Sequence, residues 1–203
     1  TPLQVEVEFL QTASYQPTHV ASNHLETFYT VFDEIKDRFF DGMIITGAPL
    51  DYTPFEEVAY WDEVCKIMDW SKTHVHCTLH MCWGAFAGLY HHYGVQRIDL
   101  PEKLSGVYEH TVIKKNSPLF RGFDDVFYAP QSRAMTLTEE SLNGIKGIEL
   151  LAVSKEAGPT ILKTEDSRQF FLTGHPEYDA DTLAKVYFRD LDKGMNPKIP
   201  CNY

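Results

Sequence analysis

Between His74 and Gly94 the chain reads HVHCTLHMCWGAFAGLYHHYG, and this stretch constrains the fold more than any other. A short β-prone run gives way at Cys82 to small and apolar residues at helical spacing, and Gly94 supplies a good helix C-cap. Such a change within a residue or two requires a tight strand-to-helix turn, with Cys82 at its corner.

Similar alternation precedes it. In LQVEVEFL, Leu3, Val5, Val7 and Phe9 share one face, as in a half-buried strand. Ser22 or Asn23 can cap a helix carrying Leu25, Phe28, Phe32 and Ile35 at helical spacing. GMIITGAP reads as a short buried strand ending in a turn at Gly47 to Pro49, and a second helix follows with Trp61, Val64, Cys65 and Met68 on one stripe. Strands alternating with helices through residue 94 predict an α/β fold with a doubly wound, mostly parallel sheet. The later runs GVYEHTVI, DVFYAP, IELLAVS, PTILKT and QFFLTG add a small antiparallel excursion before a last helix at Thr182 to Asp190. With no repeat or linker in evidence, residues 1–203 read as a single domain.

Composition narrows the function. Lys and Arg number 18 against 29 Asp and Glu, a net charge of −11, and no basic run exceeds a pair. Nucleic acid and anionic membrane surfaces are therefore unfavourable partners, and a small molecule suits the chain better. Neither a spanning apolar segment nor a secretion signal is evident, which places the protein in the cytoplasm as an expectation. There the four cysteines, Cys65, Cys77, Cys82 and Cys201, remain thiols. Cys65 and Cys77 read as packing residues, and Cys201 lies in an unpatterned terminal stretch.

In an α/β sheet chemistry collects at the carboxyl ends of strands. Three turns qualify: TGAP at Thr46 to Pro49, MCWGA at Met81 to Ala85, and TGHPEY at Thr173 to Tyr178. At the second, backbone amides favour a thiolate and can stabilise an oxyanion, so Cys82 is a candidate nucleophile. A buried packing cysteine is the plainer alternative. At the third, His175 and Glu177 lie two residues apart around Pro176 and face the same way in an extended segment, which suits a histidine and its orienting carboxylate. A surface turn is the alternative there. His74, His76, Cys77, His80 and Cys82, with His91 and His92, also raise a metal site, but no established ligand spacing is present and no metal is expected.

With Cys82, His175 and Glu177 in hand, the chain resembles the homoserine O-acyltransferase family of methionine biosynthesis, whose members transfer succinyl or acetyl groups. DGMIITGAPLDYTPFEEVAYW, CWGAFAGLYHHYG, EKLSGVYEH, RGFDD, TGHPEYDADTLA and FRD carry the resemblance, in order, over nearly the whole chain. It implies a flavodoxin-like fold of the class I glutamine-amidotransferase type, and a chain that lacks the family's first strand and C-terminal tail. It also implies that Cys82 takes the acyl group from acyl-CoA as a thioester, that His175 is the base, and that Glu177 orients it. Lys103, Ser132 and Arg189 match acceptor-binding positions; the amide of Trp83 and one from the TGAP turn, at Ala48, are the oxyanion candidates. Asp51 stands at the position that distinguishes donors, where an acidic residue accompanies acetyl transfer and glycine succinyl transfer.

The expected reaction is acetyl transfer from acetyl-CoA, a co-substrate rather than a bound cofactor, to L-homoserine, in a homodimer. Succinyl-CoA as donor and L-serine as acceptor are the alternatives. Phe86 replaces an expected glutamine and Gln131 a common histidine, which leaves the acceptor open. A glutamine amidotransferase or hydrolase using the same triad, and a non-catalytic binding module, are the competing classes.

Overall fold

The computed structural model describes residues 4–14 and 29–203. Its contacts divide the chain into two compact units, Thr1–Asp41 with Thr53–His76, and Gly42–Tyr52 with Cys77–Tyr203.

In the first unit β1 (Phe9–Gln11) pairs in parallel with β2 (Tyr29–Val31), and α1 (Phe32–Ile35) follows directly. The alternation proposed from Leu3 to Phe9 does not make a half-buried strand. Val5, Val7 and Phe9 are 80%, 64% and 56% exposed, and Leu3 lies outside the described residues. Alternation marks a face, but a strand also needs a partner for its backbone and a cover for that face. Of the first predicted helix only Phe32 and Ile35 fall on α1; Ser22, Asn23, Leu25 and Phe28 lie outside the described residues. The second helix, α2 (Trp61–His74), forms where expected, but it buries Val64, Ile67, Met68, Trp70 and Ser71 while Cys65 and Trp61 sit at the margin. Trp70 anchors this unit, donating its indole N–H to the Lys36 carbonyl at 2.7 Å and meeting Phe32 and Phe40 edge-on.

The larger sheet has seven strands in the order β3-β4-β9-β8-β7-β5-β6. These are β3 (Phe40–Ile45), β4 (Val75–Met81), β5 (Ile98–Val112), β6 (Val126–Thr136), β7 (Ile148–Ser154), β8 (Gly158–Thr164) and β9 (Gln169–Leu172). β4 and β9 are parallel, whereas β9-β8, β8-β7, β7-β5 and β5-β6 are antiparallel. The α/β class is as read from the sequence, but the antiparallel part is no small excursion: it contributes most of the strand pairs. β5 alone runs 15 residues, through a register shift between Asp99 and Leu104. β3 lies at one edge and is only partly buried, unlike the buried strand expected of GMIITGAP.

Two helices complete the second unit, α3 (Trp83–Tyr93) and α4 (Thr182–Asp192). α3 buries seven consecutive residues, Trp83 to Leu89. It can do so because its glycines admit backbone. A Cβ on Gly84 would stand 2.5 Å from the Ile45 carbonyl, and one on Gly88 would stand 2.7 Å from the His80 ring and 2.9 Å from Phe171. The helix ends at Gly94, in the left-handed region at φ 67°, as its sequence predicts. Near the C-terminus Cys201, far from unpatterned, bridges to Gly106: its amide donates to the Ser105 carbonyl at 2.9 Å, and its carbonyl accepts from Val107 at 2.9 Å.

Candidate active site

Cys82 follows β4 directly and serves as the N-cap of α3, at φ 47° and ψ −119°. That conformation is costly for any residue with a Cβ, and the surroundings hold it. The Cys82 amide donates to the Leu172 carbonyl at 2.8 Å, and its carbonyl receives the amides of Ala85 at 2.9 Å and Phe86 at 3.3 Å. The Trp83 amide is left to hydrogen-bond the Cys82 sulfur. This is the geometry of a nucleophile elbow.

The other two turns converge on the sulfur. A Cβ on Gly47 would lie 3.2 Å from the Cys82 Cβ, 3.6 Å from its Sγ and 3.9 Å from His175 Cε1, so the TGAP turn borders both thiol and imidazole. His175 follows β9, its amide held by the Pro130 carbonyl at 3.0 Å, and its Nδ1 lies 2.7 Å from Glu177 Oε1. With Nδ1–H directed at that carboxylate, Nε2 is left as a proton acceptor. The Tyr178 ring stacks on the imidazole with centroids 4.2 Å apart, and its hydroxyl is hydrogen-bonded to Ser132. Tyr178 is a site residue that the sequence reading missed, although it closes the quoted TGHPEY motif.

Electrostatics set the resting state. Burial pushes the Cys82 thiol up to about 11; the Trp83 amide and the Arg133 charge pull against it, while Asp51 and Glu177 add to it. The sulfur therefore rests protonated near neutral pH, with the His175 imidazole bordering the same turn. Asp51 lies close by, its Oδ1 accepting the Ala134 amide at 3.3 Å.

Lys103 and Arg189 are joined by a residue that the sequence reading left unassigned within FRD. Asp190, 3% exposed, accepts from Lys103 Nζ at 2.8 Å through Oδ2, and from Arg189 Nε and Nη2 at 2.9 and 2.7 Å through Oδ1. Burial draws the Asp190 carboxyl upward, but those hydrogen bonds prevail and hold it below the usual carboxylate range. The half-exposed Arg189 acts in turn on Tyr178, whose ring stacks on His175.

His80 is fully buried, bonds Gln169 Oε1 at 2.7 Å and stacks on Phe171 at 4.7 Å, and burial drives its pKa down to about 4. It is a neutral packing residue. Cys77 is half-buried, with a thiol raised chiefly by burial.

The α/β sheet with a tight elbow between β4 and α3 has a fold of the class I glutamine-amidotransferase type. Solved structures agree on the fold: a glutamine amidotransferase from Thermotoga maritima superposes with a TM-score of 0.62 at 15% identity, covering 94% of this chain and 86% of that one. One from Methylobacillus flagellatus gives 0.63 at 14%, covering 96% and 81%. Sequence is more specific. The homoserine O-succinyltransferase family model matches residues 1–203, and the chain belongs to that family. Homoserine O-acetyltransferases from Bacillus licheniformis and Clostridium botulinum are 50% and 53% identical over all 203 residues. The chain spans 67% and 66% of their lengths, about two thirds.

Proposed function

We propose that this chain carries the acyl-transfer chemistry of a homoserine O-acetyltransferase, within one acyltransferase domain. The observation that carries the reading is the junction of Cys82, His175 and Glu177 around Gly47 in a chain about half identical to homoserine O-acetyltransferases. In the first half-reaction His175 Nε2 takes the Cys82 proton, and the sulfur attacks the thioester carbonyl of acetyl-CoA. The tetrahedral oxyanion sits between the amides of Trp83 and Ala48, the C–S bond to CoA breaks, and CoA leaves as its thiol with the proton from His175. One thioester replaces another, so the step is nearly balanced in energy. In the second, His175 takes the proton of the acceptor hydroxyl, whose oxygen attacks the Cys82 thioester. The C–S bond breaks, the proton returns to the sulfur and the O-acetyl ester departs.

Arg189 and Lys103, set by Asp190, are suited to the acceptor's carboxylate, for which a planar guanidinium fork has the right shape. Ser132 holds the acceptor beside Tyr178. Asp51 selects the donor: the free carboxylate of a succinyl group would face it as a like charge in a half-buried site, whereas acetyl would not. The family is named for succinyl transfer and the relatives for acetyl transfer, and Asp51 favours the latter.

Incubation with acetyl-CoA followed by intact-protein and peptide mass spectrometry tests the reading. One acetyl group on Cys82, discharged by homoserine, is the expected result. Absence of the adduct, or ammonia release from glutamine instead, would sink it.

A further inference from the structure

Arg133 lies on β6 at 0% exposure, and no carboxylate among the described residues forms an ion pair with it. Its guanidinium is held by neutral acceptors: Nε donates to Gln131 Oε1 at 3.0 Å, Nη2 to the Ala157 carbonyl at 2.6 Å, and Nη1 to the Met135 carbonyl. It also lies over the Phe86 ring, 5.6 Å from the centroid, one helical turn beyond Cys82. A buried cation without a counter-ion costs several kcal/mol, so folds rarely keep one unless a charge appears nearby for it to meet.

The chain behind Arg133 is consistent in donor polarity. His110 Nδ1–H donates to the Tyr108 carbonyl at 2.8 Å, which leaves Nε2 to accept from Gln131 Nε2 at 3.2 Å, and the Gln131 oxygen then accepts from Arg133. His110 and Gln131 are each 1% exposed. A Cβ on Gly174 would fall 2.5 Å from Gln131 Nε2, so the amide is also wedged beneath the residue preceding His175. Every link is neutral, and the chain fixes the guanidinium while leaving its charge uncompensated.

We propose that Arg133 is a positioning residue whose fixed charge, held by the Tyr108–His110–Gln131 chain, favours the ionised sulfur of Cys82 each time it forms or is expelled. The inference rests on Cys82 being the nucleophile. Among charged groups Cys82 acts most on Arg133, ahead of Tyr108, and Arg133 opposes the burial that keeps the thiol protonated. The other titratable groups facing the sulfur are Asp51, Glu177, Tyr178 and the His175 imidazole; Asp51 and Glu177 oppose ionisation, and Glu156 faces His110. Arg133 is thus the one permanent cation acting on the sulfur among these described groups, beside the imidazole that takes its proton.

The test measures the pH dependence with which Cys82 reacts with dithiodipyridine, a neutral disulfide, in the full chain, with peptide mapping to separate it from the other cysteines. Arg133→Met removes the charge. Gln131→Glu combined with His110→Asn keeps the arginine but pairs it with a carboxylate. A rise of about one unit in the thiol pKa leaves a tenth of the thiolate, and the remaining thiolate gains some nucleophilicity, so each variant should react about threefold to fourfold more slowly at a given pH. Arg133→Lys should recover most of the rate. Charge-removing variants that fold and keep the wild-type profile overturn the inference, as does an Arg133→Lys no faster than Arg133→Met. If Arg133→Met does not fold, the paired-carboxylate variant decides. Acetyl loading of Cys82 in the same wild-type sample separates the two questions: no loading counts against the acyltransferase reading, while the disulfide kinetics still report on Arg133.

Discussion

Cys82 is held at φ 47° between a hydrogen bond to Leu172 and the first turn of α3. A cysteine needed only for packing gains nothing from that conformation, whereas a nucleophile gains a fixed position at the strand end beside the Trp83 amide. Cys82→Ala should therefore abolish acetyl loading and turnover, and Cys77→Ala should leave most activity, both read by mass spectrometry and a coupled assay. Residual loading of the Cys82→Ala variant at another cysteine would reassign the nucleophile. His175→Ala should lower kcat by several orders of magnitude because one imidazole serves both half-reactions. Glu177→Ala, which loses orientation but keeps the base, should cost less. The reverse order would exchange the two roles. At Asp51, a repulsion of roughly 2–3 kcal/mol corresponds to about a hundredfold preference for acetyl over succinyl. Asp51→Gly should narrow that ratio, measured as kcat/KM for the two donors. Equal use of both donors by the wild type would remove Asp51 from the donor site while leaving the triad intact.

At the scale of elements, the strand–elbow–helix unit is where sequence and structure agree best, because small residues, an apolar run and a terminal glycine all point to one geometry. Gly84 and Gly94 show that glycines of this unit act differently. At Gly84 a Cβ would enter the Ile45 carbonyl at 2.5 Å, and neither backbone can yield cheaply; at Gly94 nothing lies within 4 Å, and only the positive φ is strained. Gly94→Ala should cost about 1–2 kcal/mol in denaturant unfolding. Gly84→Ala should cost roughly 2–3 kcal/mol and also depress kcat, because the helix that carries Cys82 must shift. Equal losses at the two positions, with unchanged kcat in both, would refute that distinction. The strands beyond residue 98 were legible as apolar runs, and β7 matches its predicted run, IELLAVS. Their directions were not, since a run of residues does not encode which neighbour it pairs with. For the same reason Val5 and Val7 read as a strand face and prove exposed. The nearness of Cys82, His175 and Glu177 was legible because each lies in a short local motif at a strand end. The settings of Asp190 and Arg133 were not: they consist of burial and of partners distant in sequence, which appear only on folding.

For the whole molecule the relevant quantity is the summed field. The chain carries 29 acidic and 18 basic residues, a net charge of −11 at pH 7, and its proposed donor, acetyl-CoA, carries several phosphate charges of the same sign. A like-charged pair approaches against a repulsive potential that salt screens, with a Debye length of about 30 Å at 0.01 M and about 8 Å at 0.15 M. Local cations such as Lys103 and Arg189 act over a few ångströms once the ligand has arrived, whereas the net charge acts during approach. Homoserine is zwitterionic and feels little of that long-range field. The kcat/KM for acetyl-CoA should therefore rise severalfold between about 0.01 M and 0.15 M sodium chloride, while the value for homoserine at saturating donor changes much less. A donor kcat/KM that falls steeply with salt would mean that a basic surface, not the net charge, governs encounter.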